Sequence, residues 1–313
     1  MTYKELIIKK LMNGEMKFRD VKPEYQSDPD VALAAVKQSP LNFMMVGSEL
    51  KSDKKFMTEV VNLYGKFVGN ARDNLKSDKE FMLNAVRRKY DNIVYADDSL
   101  KKDPDFWFQA YQCNSSVLKY LDDNLRSDEG FILEALDIGL KMTEYICDKL
   151  KSDKRFVLKA SGKKGFSLSF VNEKLQDDRD VVLSAVSANG YNLRAASERL
   201  QNDKEIVYKA VEITPPVLEY VSDKFKSDKK LALSAVDHCR EYLQYVSEDL
   251  RNDKDVCLTA VVNYADNMKH VGSKLLNDKD FAVKAVYERS DIYGFLSDAL
   301  QKDEDVIAAH KKW

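Results

Sequence analysis

Aspartate is the residue type whose spacing in this sequence most invites a chemical explanation. An Asp recurs every 25 residues, at Asp28, Asp53, Asp78, Asp103, Asp128, Asp153, Asp178, Asp203, Asp228, Asp253, Asp278 and Asp303. Twelve carboxylates in a line could attract cations. However, each Asp precedes an apolar pattern of helical period, and Asp28 and Asp103 are followed directly by proline, which favours the first position of a helix. We therefore predict that these carboxylates cap helices.

Histidine and cysteine offer little catalytic chemistry in this chain, which has three His and four Cys. His238 and Cys239 are adjacent, but neighbours on a helix point about 100° apart, so they cannot pair with each other. The four Cys have irregular spacing that is typical of neither a disulfide framework nor a zinc site. We expect no enzyme activity, no metal site and no cofactor.

A glycine- and lysine-rich stretch from Ser161 to Gly165 could in principle hold a phosphate group. It lacks the preceding strand and the Gly-Lys-Ser/Thr ending of a P-loop. Its position in the 25-residue period instead predicts a turn between two helices.

The elements that position these residues follow from the same period. We number each repeat from three residues before its Asp, so that the Asp occupies column 4. Columns 7, 8, 11 and 12 are mostly apolar, with Ala in column 11 of ten repeats, and they share one helical face. This pattern predicts helix A over about columns 5 to 14. Columns 19 and 22 and the next column 1 are also apolar, as in Leu118, Leu121 and Leu125, and predict helix B over about columns 17 to 26.

Two short helices cannot bury both of their apolar faces alone, so the repeats must stack. The prediction is an all-α fold, an α-solenoid of about twelve 25-residue two-helix repeats. We expect a degenerate N-terminal capping repeat over 1–24, eleven helical-hairpin repeats over 25–299, and a truncated C-terminal capping repeat over 300–313. Val60, Ser161 and His310 depart from the pattern in columns 11 and 12, where we expect less uniform packing.

The consensus L-x-S-D-K-x-[FV]-x-L-x-A-V, followed by Leu, Tyr-Val-Ser and an acidic residue, resembles the tandem repeats of domain-of-unknown-function family 4116. The stretches most similar to the consensus are 75–86, 175–198 and 225–248, and the similarity runs from Tyr25 to Val306. The resemblance implies an α-helical repeat module with no assigned activity and no catalytic residues, so it supplies no site residues.

Composition narrows the classes of protein further. Hydrophobic residues make up 44% of the chain and charged residues 33%, which favours a packed core over disorder. No apolar run approaches the roughly 20 residues needed to span a bilayer, and the N-terminal apolar stretch is too short for a secretory signal. We expect a cytoplasmic monomer that does not enter membranes. Basic residues in columns 2 and 5 and acidic residues in column 24 predict charged stripes that neutralise each other, or that guide a charged partner.

Column 21 is the candidate binding surface, because aromatic residues recur there beside the apolar column 22. The candidate residues are Tyr95, Tyr120, Tyr145, Phe170, Tyr220, Tyr245 and Phe295. Either these rings pack between successive helices and cover the core, or they form an aromatic row on the inner face with hydroxyls left for a partner. His270 occupies the same column, and we interpret it as a packing or surface residue. Column 20 varies beside the row, from Lys119 to Glu144 to Arg194.

These observations predict a non-enzymatic repeat scaffold that binds a protein partner through its extended inner face. It would act as an adaptor, or as an inhibitor that wraps a larger target. The alternative is a protein that stacks single-stranded nucleic acid on the aromatic row. The run from Arg87 to Lys89 supports this alternative, whereas the net charge of −2 weakens it.

Overall fold

A computed structural model describes residues 2–236 and 240–313, and in those ranges it contains helices, turns and loops but no strand. His238 and Cys239 lie outside the described residues. The longer helices, which correspond to helix A, are Tyr3–Met12, Pro29–Gln38, Lys54–Tyr64, Lys79–Arg88, Pro104–Cys113, Glu129–Asp137, Lys154–Ser161, Arg179–Ala188, Lys204–Ile213, Lys229–Ala235, Lys254–Asn263, Lys279–Glu288 and Glu304–Lys311. The 3₁₀ segments are Phe18–Asp20, Pro40–Met45, Leu50–Ser52, Val68–Asn70, Tyr90–Tyr95, Ser115–Tyr120, Thr143–Tyr145, Leu168–Phe170, Gly190–Ala195, Pro215–Tyr220, Tyr242–Tyr245, Ala265–His270 and Ser290–Phe295. The short α-helices are Pro23–Gln26, Asp73–Lys76, Asp98–Lys101, Asp123–Ser127, Asp148–Lys151, Glu173–Gln176, Glu198–Gln201, Asp223–Lys226, Glu248–Arg251, Ser273–Leu276 and Asp298–Gln301.

The fold class is confirmed: the chain is an all-α solenoid of tandem repeats. It divides into two compact units, residues 1–132 and 133–313. Within each unit the A helices of successive repeats pack side by side, and so do the 3₁₀ segments. The core of each unit lies between these two layers.

Helix A forms where the sequence predicts it, and its boundaries follow from side-chain chemistry. In the helix Lys79–Arg88, Oδ1 of Asp78 accepts a hydrogen bond of 2.8 Å from the backbone N–H of Phe81, which has no partner within the helix. Phe81 and Val86 are buried on the predicted apolar face, while the flanking columns remain polar.

The second half of the repeat differs from the single helix B that the spacing predicts. In the third complete repeat, the 3₁₀ segment Tyr90–Tyr95 ends at Ala96 and Asp97, whose backbones are extended, and a separate helix covers Asp98–Lys101. Two features of the sequence explain why helix B is divided. Apolar columns 19 and 22 are three residues apart, which matches the three-residue turn of a 3₁₀ helix. The Asp97 carboxylate then caps the new helix by accepting from the N–H of Ser99 at 2.9 Å.

Buried asparagines join neighbouring repeats. Asn192 in column 18 donates a hydrogen bond of 2.9 Å to the carbonyl of Ala185 at the end of its own A helix. Its Oδ1 accepts from the backbone N–H of Leu168 in the preceding repeat, also at 2.9 Å. Asn267 makes the same two contacts three repeats further along, with Ala260 and Leu243. Because each amide satisfies two buried backbone groups, it fixes the register of one repeat on the next.

The departures from the consensus are accommodated individually. Val60 is fully buried in column 11. Ser161 is also buried, and its hydroxyl donates to the carbonyl of Leu158 at 2.8 Å, so its polar group is satisfied. His310 stacks on the ring of Tyr293 with centroids 4.2 Å apart. The side chains that fill these positions therefore differ from the consensus, but Val60 leaves no apolar gap and the hydroxyl of Ser161 is hydrogen-bonded.

Candidate partner-binding surfaces

Where the preceding repeat supplies a cation in column 5, the column 4 carboxylate uses one oxygen to cap its helix and the other to pair with that cation. In the second and third complete repeats, Lys54 lies 2.9 Å from Oδ2 of Asp78, while Oδ1 of the same carboxylate caps the helix. Lys54 also lies 2.7 Å from Glu80, so one ammonium group bridges two carboxylates of the next repeat. The Asp column is thus a series of helix caps, as predicted, and its carboxylates also form ion pairs between repeats, which the capping prediction did not include.

This arrangement recurs in both units, and it lowers the pKa of carboxylates such as Asp278 and Asp78. The same pairing joins Lys4 to Asp28, Lys79 to Asp103, Lys154 to Asp178, Arg179 to Asp203, Lys229 to Asp253, Lys254 to Asp278 and Lys279 to Asp303. The hydrogen bond from Lys254, followed by the one from the N–H of Phe281, holds the pKa of Asp278 below its ordinary value. At Asp78 partial burial opposes this effect, but the donors Phe81 and Lys54 still leave the pKa lowered.

None of the seven column 21 rings is buried. Tyr95 is 45% exposed, Tyr220 47% and Phe295 40%, whereas Tyr120, Tyr145, Phe170 and Tyr245 are half-buried. His270, in the same column, is half-buried as well. The rings therefore cover the edge of the core with one part and meet solvent with the other.

Two of the rings contact the column 20 residue of the preceding repeat. The Tyr95 ring lies directly over Gly69, where an added Cβ would come within 2.8 Å of Cε1 of the ring. In the second unit the guanidinium of Arg194 lies over the Tyr220 ring, 4.3 Å from its centroid. The residue in column 20 therefore influences how these two aromatic rings are presented.

The hydroxyl of Tyr120 is not left for a partner, as the second of the two alternatives for column 21 would require. It donates a hydrogen bond of 2.7 Å to Asp91, and this bond raises the pKa of Tyr120 above its ordinary value. Lys119 donates to the hydroxyl of Tyr90 at 3.1 Å and lies 3.6 Å from Asp91. The hydroxyls of Tyr95 and Tyr220, by contrast, have no hydrogen-bond partner among the described residues.

A polar groove of about 270 Å³ lies beside the aromatic column, and it is lined by Arg194, Gln201, Asn202, Tyr220 and Ser222 among others. Larger grooves lie on the outer face of the A helices, which the sequence analysis did not consider. Leu83 lines one of about 600 Å³, Leu183 lines one of about 660 Å³, and Val283 lines one of about 650 Å³. The sequence did contain a sign of these grooves. Column 9 is mostly leucine, although it lies beside the helical face assigned to the core, so apolar side chains were to be expected on this part of helix A.

The Gly-Lys stretch from Ser161 to Gly165 forms the turn between helix A and the 3₁₀ segment, as its position predicts. Its Gly165 N–H donates to the carbonyl of Leu136 at 2.8 Å, and Lys163 pairs with Asp137 at 2.9 Å. Within the described ranges, no group of three or more His, Cys, Asp or Glu side chains comes together in a way that could hold a metal ion. No helix in that part of the chain is long and apolar enough to cross a membrane.

The fold and these surfaces define an all-α tandem-repeat protein. A family described as "Domain of unknown function (DUF4116)" matches the chain over residues 28–76, 53–101, 78–126, 128–176, 178–226, 228–264 and 255–301. The chain belongs to this family, which confirms the resemblance found in the sequence. Searches of the curated proteins and of the solved structures find no match.

Proposed function

We propose that this protein is a non-enzymatic repeat scaffold that binds a protein partner through its aromatic column 21. The observation that carries the proposal is the exposure of Tyr95, Tyr220 and Phe295 at one column of the repeat. An exposed tyrosine combines a large apolar area with a polar tip and few rotatable bonds, which suits it to the centre of an interface. The neighbouring column 20 differs from repeat to repeat, so each ring has a different chemical setting.

The finer role that we favour is that of an adaptor, or of an inhibitor that wraps a larger target. The repetition of one ring position in successive repeats supports a partner that contacts several repeats at once, because linked contacts raise affinity without any single strong one. We also propose that the protein is cytoplasmic and monomeric, and the four irregularly spaced cysteines support a reducing compartment.

Single-stranded nucleic acid is the less favoured ligand. Base stacking needs an open ring face and a groove of net positive charge. Arg194 already covers one face of Tyr220, and the ammonium of Lys119 lies 4.9 Å from the centroid of the Tyr120 ring. The chain also carries a net charge of −2.

Affinity purification from the native host, with quantitative mass spectrometry, tests the proposal. The bait would be the wild-type chain, the triple variant Tyr95→Ala, Tyr220→Ala, Phe295→Ala, and the control Tyr287→Ala, which removes an exposed ring from an A helix. We expect specific proteins to be enriched by the wild type and the control and to be lost with the triple variant.

Two outcomes would refute the proposal. One is equal recovery of the same proteins by the triple variant, and the other is no enrichment over bare resin. Recovery that disappears after nuclease treatment would instead support the nucleic-acid alternative.

A further inference from the structure

The groove centred on Leu83 in the first unit has a mixed lining on three successive A helices. It has a volume of about 600 Å³ and is lined by Lys54, Thr58, Lys79, Leu83, Arg87 and Gln109, among others. Leu83 is half-buried, so part of its side chain faces the groove. A ligand side chain of moderate size could bury this apolar surface.

The lysines at one edge of the groove are electrically compensated. Lys54 bridges Asp78 and Glu80, at 2.9 and 2.7 Å. Lys79 lies 2.9 Å from Asp103 and also pairs with Asp105. This edge therefore offers no free cation to a ligand, because its two ammonium groups are outnumbered by four carboxylates.

The other edge carries an uncompensated cation. In the run from Arg87 to Lys89, Arg88 donates to Oδ1 of Asn62 at 3.0 Å, and Lys89 lies 3.4 Å from Asp91. Arg87 is exposed and makes no hydrogen bond or ion pair with any residue that the structure describes. Among these three cations, Arg87 alone remains free, and it lines the groove. A guanidinium in this position favours a carboxylate, which it can bind through two parallel hydrogen bonds.

Two side-chain amides, from Asn84 and Gln109, also line the groove. The Asn84 amide donates to Asn62 at 3.2 Å, and the Gln109 amide donates to Asp105 at 2.9 Å. Their carbonyl oxygens accept no hydrogen bond within the described residues. Such oxygens can accept from the backbone N–H groups of an extended peptide, which have no partner of their own.

We propose that this groove, the Leu83 groove, binds an extended peptide segment of a protein partner. An acidic side chain of the peptide pairs with Arg87, and an apolar side chain packs on Leu83. The amides of Asn84 and Gln109 contact the peptide backbone. This inference rests on the proposed protein-binding role, adds a second surface to the aromatic column, and specifies the chemistry of the partner segment.

The test uses the purified full chain and a display library of random 12-residue peptides. Selection would be run on the wild type, on Arg87→Glu, and on Arg72→Glu as a matched charge reversal at an exposed position of the same unit that does not line the groove. Thermal unfolding would first establish that all three proteins fold alike. An enriched peptide would then be made with a fluorescein label and measured by fluorescence anisotropy, and with a photoreactive group to locate its crosslinks.

The expected result is enrichment of peptides that combine acidic and apolar residues on the wild type and on Arg72→Glu. The chosen peptide should bind Arg87→Glu at least about tenfold more weakly, because attraction becomes repulsion. Crosslinks should fall in the helices Lys54–Tyr64 and Lys79–Arg88.

Four results would overturn the inference: no enrichment on the wild type, enriched peptides without acidic residues, equal binding by Arg87→Glu, or an equal loss in both variants. A 30-nucleotide single-stranded RNA that binds through Arg87 more tightly than the peptide would assign the groove to nucleic acid instead. Because the experiment needs no host partner, its failure leaves the test of the aromatic column unaffected.

Discussion

The ammonium group of Lys54 lies 2.9 Å from Oδ2 of Asp78, the carboxylate that caps the A helix of the following repeat. One carboxylate therefore starts its own helix and holds the neighbouring repeat. This dual use explains how an Asp can be uniform along the chain without forming a ligand site. It also makes the stability of the stack depend on caps and on charge.

We expect Asp78→Ala to lower the free energy of unfolding by about 1–2 kcal/mol, because the helix loses its cap. Asp78→Asn should lose less, because its amide oxygen still accepts from the N–H of Phe81 while the ion pair is gone. Urea unfolding followed by circular dichroism measures both. Asp73→Ala, at an exposed carboxylate, is the control and should change little. Equal losses at Asp78 and Asp73 would contradict the capping role.

Acid should remove part of this stabilisation. The pKa of Asp278 is lowered in the folded state, so the folded form holds its proton less tightly than the unfolded chain does. The contribution is present above the unfolded pKa of about 3.9 and is lost as the pH falls through the lower folded pKa. Urea midpoints between pH 7 and pH 2.5 should show the wild type converging with Asp278→Asn at the acidic end. A difference between the two proteins that stays constant over this range would refute the linkage.

The buried amide of Asn192 should be among the costliest polar side chains to remove. Asn192→Ala leaves the N–H of Leu168 without a partner, whereas the carbonyl of Ala185 keeps its hydrogen bond from the N–H of Asn189. Because one buried orphan costs about 1–3 kcal/mol, we expect a loss of about 1–3 kcal/mol in urea unfolding. Asn124→Ala, at an exposed position, should stay within about 0.5 kcal/mol of the wild type. If the two variants were equally stable, the proposal that Asn192 joins neighbouring repeats would be wrong.

Substitution of glycine by alanine should destabilise the protein at Gly190, where the backbone of the next repeat lies close, but not at Gly162. A Cβ at Gly190 would lie 2.4 Å from the carbonyl oxygen of Ala210 in the next repeat, whereas a Cβ at Gly162 would meet nothing within 4 Å. Gly190→Ala should therefore lose about 1–3 kcal/mol through overpacking. Gly162→Ala should be neutral or slightly stabilising, because it restricts the unfolded chain. Thermal melts of the two variants compare their stabilities directly. If Gly190→Ala were as stable as the wild type, the two repeats could shift apart locally without a loss of folding free energy.

Burial should protect one cysteine from modification. Desolvation raises the pKa of the Cys257 thiol to about 12, and its Sγ donates to the carbonyl of Arg251 at 3.0 Å. At pH 8 the native chain should be alkylated by iodoacetamide at the half-buried Cys113 and Cys147 well before Cys257, as peptide mass spectrometry would show. After denaturation in urea Cys257 should react readily. Fast labelling of native Cys257 would show that the stack opens there.

The sequence by itself determined the repeat, the all-α class and helix A. A period of 25 residues, an Asp before each apolar helical stripe, and small residues in column 11 allow few other solutions. Each of these signals is local, because capping and amphipathic burial act within about ten residues. The division of helix B also had a local signal, namely polar residues such as Asp97 in column 23.

Only the tertiary structure decided which side chains the repeats share. Asn192 satisfies groups of two repeats, Lys54 bridges to the next repeat, and the Tyr120 hydroxyl is used by Asp91. Sequence spacing cannot reveal these pairings, because they join residues 20 or more positions apart through the stacking of layers. The same is true of exposure: column 21 lies beside a buried column, and the contacts of Tyr95 with Gly69 and of Tyr220 with Arg194 arise only when the repeats stack.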